Sequence, residues 1–278
     1  MSLTRKNKDV ITLLEKELQS DCANCFGLCC TALPFAKSAD FPFNKQAGTP
    51  CPNLQEDFKC GIHQHLREKG FKGCGVFECF GAGQKVSQET YGGISCREKP
   101  SIAEEMFEVF PVMQQLHEML YYLVEALKNK AVKPLHGALR RMLDKTDALT
   151  KLAPQDLLEL AVADHRAEVN ILLLQVSDMV RDKSPVKHNQ KVKHDLVGAK
   201  LKGADLRGAN LRGTLLLAAD LRKADLRWVD FIGADLRDAD IRGAILHNSI
   251  FLTQAQVNAA NGDKMTRLPA GLKVPGHW

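Results

Sequence analysis

The sequence predicts a multidomain α+β chain. It should hold a cysteine-rich metal-binding domain, a small helical bundle and a C-terminal stack of short coils. Three observations predict this. All nine cysteines lie between Cys22 and Cys96. Residues 100–182 carry apolar side chains at helical spacing. From residue 194 onward the chain repeats every five residues. A length of 278 residues allows two or three domains, and an apolar fraction of 45% is enough to give them cores.

Residues 1–20 read as one amphipathic helix, with Val10, Leu13, Leu14 and Leu18 on one face. This start is charged throughout and lacks the apolar core of a signal peptide. The longest apolar runs, such as ILLL at 171–174, are far too short to span a bilayer. A cytoplasmic protein is expected. The net charge of +5 is mild for this length, so a dedicated nucleic-acid binder is not expected.

Residues 21–99 hold every cysteine and much of the Gly and Pro, and should be loop-rich. The helical bundle follows over 100–182. Ser101 with Glu104 matches a capping box at its start. The first helix carries Met106, Phe110, Met113, Leu116, Leu120, Leu123 and Leu127, with Pro111 expected to kink it. The second follows Pro134, with Leu135, Leu139, Met142 and Leu149. The third should run from about Pro154 to Arg181, with Leu158, Val162, Val169, Leu173, Val176 and Val180 as its stripe. Residues 183–193, KSPVKHNQKVK, read as a basic solvated linker.

The repeats occupy 194–253. Their centres fall on Leu196, Leu201, Leu206, Leu211, Leu216, Leu221, Leu226, Phe231, Leu236, Ile241, Leu246 and Phe251, with Ala two residues before most of them. A period of five fits neither a helix nor a flat strand. The chain must turn a corner every five residues, with a small and a large apolar residue pointing inward per unit. Such units bury a core only by stacking. The pattern A(D/N)LR-x resembles the pentapeptide repeat family. That resemblance implies a right-handed quadrilateral β-helix of about three coils, roughly 14 Å tall. Residues 254–278 are similar to the C-terminal extension of bacterial members, and should cap the open coil end with Leu268 and Trp278 as packing candidates.

Some family members mimic DNA to bind gyrase. Residues 194–253 hold eight Asp against nine Lys or Arg, a nearly neutral surface, so neither gyrase nor nucleic acid is expected as a partner. A protein partner for the coil is expected.

The cysteine spacing is Cys22-x2-Cys25-x3-Cys29-Cys30, then Cys51-x8-Cys60, then Cys74-x4-Cys79, with Cys96 apart. Thiols grouped this way in a reducing compartment point to metal ligation more than to disulfides. CxxC places two thiolates on one turn, suited to tetrahedral metal–sulfur bonds of about 2.3 Å. Adjacent Cys29 and Cys30 suggest two sites or a shared cluster. Eight thiolates divide into two sets of four, a ligand set that zinc, iron and an iron–sulfur cluster all accept. Spacing alone leaves the pairing of ligands to sites open. The run DCANCFGLCC, followed by CPNL, KCGIHQHL and FEC, is similar to the bacterial CxxCxxCC zinc- or iron-chelating family, with one extra residue before the CC pair. The whole chain also resembles bacterial pentapeptide repeat proteins with such a cysteine-rich front.

CFGAGQ at 79–84 reads as a turn, since no apolar strand precedes it. His63 and His65 could replace a thiolate or simply be exposed. His117, His136 and His165 fall one per helix and could hold a metal, although a lone histidine on an apolar face reads first as a hydrogen-bonded core residue. No catalytic triad, phosphate loop or carboxylate pair stands out, so no reaction is assigned.

Overall fold

The computed structural model describes residues 11–186 and 194–278. Val10 and most of the basic linker lie outside the described residues. The chain divides into two compact units. One runs to Lys128 and includes His136–Ile171; the other takes Asn129–Leu135 and Leu172–Trp278.

In the first unit, residues 11–17 are helical, and Leu14 and Leu18 are buried while Leu13 is exposed. Glu15 forms an ion pair with Lys128, which ties this segment to the end of the main helix. The cysteine-rich stretch is built from turns and three short helices: α1 (Leu28–Thr31), α2 (Lys72–Gly75) and α3 (Ala82–Gln84). A wide π turn, Lys85–Thr90, follows α3. Phe35 stacks on Phe41 with centroids 4.3 Å apart, and Phe71 meets Phe35 and Phe43 edge-on. Phe71 is the buried member of this cluster, and elsewhere in the segment Leu28, Ala82 and Val86 are fully buried.

The main helix α4 (Ala103–Lys128) buries Met106, Phe110, Met113, Leu116, Leu120, Leu123 and Leu127, as their spacing predicts, and it continues through Pro111. The expected capping box is absent. Pro100 starts a 3-10 turn over Pro100–Ile102, so Ser101 lies inside helical backbone and cannot take the extended conformation of an N-cap. Helix α5 (His136–Leu149) buries Leu139, Leu143 and Thr146; Leu135, Met142 and Leu149 are only half-buried. The predicted third helix is two helices, α6 (Pro154–Leu158) and α7 (Val162–Arg181). The break has a packing cause. Leu157 is fully buried and Leu158 only partly, and position 157 is out of phase with the stripe of His165, Val169, Leu173, Val176 and Val180 on α7. Helices α5, α6 and α3 all pack on α4.

The second unit holds the repeats. Single parallel bridges link residues twenty positions apart, as in Asp195 to Leu215, Leu215 to Asp235, and Asp220 to Asp240. Twenty residues are four units, so the coil closes every fourth unit. Each unit contributes one bridge between corners, which leaves no room for an extended strand. The ladder alternates direction: Leu196 N–H donates to Leu215 O at 2.8 Å and Leu215 N–H to His194 O at 2.8 Å. Phe231 and Phe251 replace leucine inside at full burial.

Each corner is a tight turn, as where Ala199 N–H donates to Leu196 O at 3.0 Å. The residue two after each centre from Leu196 to Leu246 has positive φ, which explains glycine at 203 and 208. On the outside, Asp205 accepts Arg207 N–H and pairs with the Arg207 guanidinium at 2.6 Å. The pattern recurs at Asp220–Arg222, Asp225–Arg227, Asp235–Arg237 and Asp240–Arg242. Asp230 has Ile at the matching position and is fully buried; Arg212 of the preceding coil pairs with it instead at 2.8 Å.

The tail caps the stack. Helix α8 (Gln254–Ala259) starts at a Thr253–Gln256 capping box, and Gln256 Nε2 donates to the carbonyls of Phe231 and Ala234, both at 2.8 Å. Bridges from Asp240 to Asn261 and from Ile245 to Arg267 extend the ladder onto the tail. Leu268, Leu272 and Trp278 pack against the coil core, and Trp278 Nε1 donates to Ala260 O at 3.1 Å.

Candidate functional site

The predicted ligands are carried by turns whose shape follows from local sequence. Asp21 caps the 3-10 turn Cys22–Asn24 by accepting Ala23 N–H at 3.1 Å. Gly27 then takes a left-handed conformation, φ 65°, at which any side chain is strained, and α1 begins there with Cys29 and Cys30 in its single turn. The backbone N–H groups of Leu28 and Gly27 act to lower the pKa of Cys25 against the larger effect of burial. Ile62 N–H does the same for Cys60. Backbone donors aimed at sulfur favour the thiolate.

Two neighbourhoods emerge. In the first, Asp21 N–H donates to Gln84 Oε1 at 3.1 Å and Phe26 N–H to Ser87 Oγ at 3.0 Å, which lays residues 21–26 on α3 and the π turn. Gly83 of α3 then faces sulfur. A Cβ there would lie 2.7 Å from Cys25 Sγ and 3.9 Å from Cys79 Sγ. Ser20 Oγ is 3.0 Å from Cys79 Sγ. In the second, Cys51 N–H donates to Cys30 O at 2.9 Å, and a Leu54–Cys60 bridge folds residues 51–60 back on themselves. Asn53 Nδ2 approaches Cys51 Sγ at 3.8 Å. Cys74 N–H donates to Phe71 O at 3.2 Å, which anchors Cys74 to the aromatic cluster.

Lys45 is the unexpected member. It is buried, and its Nζ donates to the carbonyls of Thr31, Gln46 and Thr49 at 3.0, 3.2 and 2.8 Å. Burial lowers its pKa, while Cys51, Cys30, Cys29 and Cys74 pull it back up. Nothing in the sequence singles out this lysine among the other basic residues.

The thiols are shifted by the same forces. Burial raises Cys22 to about 11 and Cys74 to about 12, and raises Cys25 and Cys60 as well. The Cys29 thiol donates to Cys30, which holds Cys29 well above and Cys30 below the usual thiol range; Lys45 helps lower Cys30. Among the described residues, no three His, Cys, Asp or Glu side chains converge closely enough to hold a metal ion as they stand.

Among the described residues, no histidine belongs to a group that could hold a metal ion. His117 is buried and hydrogen-bonds Phe80 O through Nδ1 at 2.8 Å; burial lowers its pKa to about 4. His165 is buried with Nε2 2.9 Å from Thr146 Oγ1. His63 and His65 are exposed, and His65 pairs with Glu68 at 3.0 Å. CFGAGQ forms a turn through Gly81, φ 82°, into α3. Cys96 lies beside Arg97, whose guanidinium stacks on Phe58 at 4.2 Å. Among the described residues, no helix is long and apolar enough to cross a membrane.

The family described as "Pentapeptide repeats (8 copies)" matches residues 195–231 and 218–248. The chain is also similar to "Uncharacterized protein YybG" of Bacillus subtilis (strain 168), at 63% identity over 265 residues. That alignment covers 94% of this chain and 95% of the relative, so it takes in most of the cysteine-rich region as well as the repeats. The chain belongs to the YybG family of pentapeptide repeat proteins.

Proposed function

We propose that this protein binds zinc or iron through cysteine thiolates and carries its pentapeptide repeats, wound as a right-handed quadrilateral β-helix, as a docking module for a protein partner. One observation carries the metal reading: eight thiols share a loop-rich segment, with the Ser20 hydroxyl at the Cys79 sulfur, the Asn53 amide at the Cys51 sulfur and a lysine buried among them. Undirected buried thiols would have no reason to collect donors and a cation. Metal would gather the sulfurs by rotation of their side chains and displace the thiol protons, so that binding energy becomes folding energy. The resemblance to the CxxCxxCC family points the same way.

The β-helix reading rests on the twenty-residue bridge ladder. Five of its outer aspartates, Asp205, Asp220, Asp225, Asp235 and Asp240, are paired with arginines of the same unit, so the coil offers no continuous acidic face for DNA mimicry. The protein is read as a binder, with an iron–sulfur redox role as the alternative.

The test is elemental analysis with a visible spectrum on anaerobically purified protein, beside Cys29→Ser. Stoichiometric zinc or iron, reduced in the variant, is expected. Metal-free wild type would sink the reading. A coloured protein carrying inorganic sulfide would assign an iron–sulfur redox role.

A further inference from the structure

We propose that a small polar cleft against α4 binds a primary ammonium ion, an amine of one or two carbons, through the ring of His117. The site is independent of the metal reading. No cysteine lines the cleft, and every residue that does belongs to the first unit.

The cleft has a free volume of about 60 Å³, several times what one water needs. Its inner wall is made by His117 and Leu120 of α4, Leu14 of the first helical segment and Thr150 just past α5, all buried. His117 is only 4% exposed. Its Nδ1 lies 2.8 Å from Phe80 O. A carbonyl only accepts, so Nδ1 carries the ring proton and Nε2 keeps a bare lone pair. Among the described residues Nε2 has no hydrogen-bond partner, and the ring lines the cleft. Burial, the largest influence on the ring, lowers its pKa to about 4, so Nε2 stays an acceptor near neutral pH. A buried acceptor without a donor is costly. What fits against it must bring an N–H or O–H.

The outer wall selects charge. Glu17, Glu89 and Asp147 line it against one lysine, Lys85. Lys85 is already paired with Glu89, and Asp147 meets Lys151 at 2.6 Å. The fields of Lys85, Glu89 and Asp147 all reach the His117 ring. The neutral polar groups are spent within the protein. Thr150 Oγ1 donates to Asp147 O at 2.7 Å. Gln84 Nε2 donates to Glu17 O and Gln19 O at 3.1 and 2.8 Å, and Gln84 Oε1 accepts Asp21 N–H. The lining therefore offers a visitor acceptors and negative charge.

That balance turns an anion away. A metal ion is poorly served, since no three His, Cys, Asp or Glu side chains converge among the described residues. A quaternary ammonium needs aromatic faces, and no aromatic ring but the imidazole lines the cleft. A primary ammonium meets each condition. It is a compact charge with three N–H donors, and a short tail can lie against Leu14 and Leu120.

The experiment uses the full chain with 15N-labelled histidine, near neutral pH and at constant ionic strength. Methylammonium chloride is titrated while the His117 Nε2 signal is followed by NMR. A saturable shift is expected. Sodium and tetramethylammonium chlorides at the same concentrations should leave the signal in place, because neither brings an N–H. The rim variant Glu89→Gln/Asp147→Asn, checked for folding by its urea midpoint, should bind methylammonium about tenfold more weakly. A signal that never responds would leave water as the occupant of the cleft and overturn the site. An equal response to tetramethylammonium or sodium, or undiminished binding by the folded rim variant, would overturn it as well.

Discussion

His117 shows how a residue's surroundings, rather than its type, decide its role. It lies on the buried face of α4 and donates to a backbone carbonyl, so the neutral ring is the form that fits. Its pKa falls from 6.5 to about 4 in the fold because burial penalises the charged ring. The unfolded chain therefore binds more protons between those values. The resulting stability is complete above about pH 6.5 and is lost as pH falls toward 4, on the order of 3 kcal/mol in all. Urea unfolding across this range should show a steeper acid loss in wild type than in His117→Gln, which keeps a donor but does not titrate. Equal slopes would mean that His117 is not held neutral by the fold. Gly83 and Lys45 make the same point for the candidate site. One is an absent side chain and the other a lysine like many in the chain, and each acquires meaning only from the sulfurs around it.

The five-residue unit is the element most completely explained by its own sequence. The large residue fills the coil, the small one sits at the corner, Asp closes the turn from outside and Arg covers Asp. The fifth position carries the positive φ. Gly203, φ 67°, has nothing within 4 Å of where a Cβ would be, so a substitution there tests backbone strain free of collision. Gly203→Val should destabilise the repeat unit by about 1–2 kcal/mol, read from the shift of its chemical-denaturation midpoint. No shift would mean that the corners tolerate any residue. Lys223 and Trp228 already occupy this conformation, so the stack carries some strain at those corners. Among the helices the outcome is mixed. The stripe on α4 was legible because it is long and regular. The split between α6 and α7 was not, because it depends on which of Leu157 and Leu158 meets α4, a matter of tertiary phase.

At the scale of the molecule, two compact units with separate cores should lose structure separately. Only one of them holds the cysteines. Stripping metal with a chelator should lower the melting transition of the cysteine-bearing unit and leave that of the repeats in place. Calorimetry with and without chelator reads both at once. A chelator that left both transitions unmoved would remove the metal from the stability of the fold.

The sequence by itself determined the five-residue repeat and the concentration of thiols, because each is written in local periodicity or spacing, while the four-unit coil and its closing tail were implied by the resemblance to the pentapeptide repeat family. A coil whose contacts lie twenty residues apart repeats the same instruction in every unit, and so can be read from any one of them. The tertiary structure alone decided the place of Lys45 and the hydrogen-bond partners of His117 and His165. Those depend on residues well separated in the chain meeting in space, and residues so far apart carry no common period to announce the meeting.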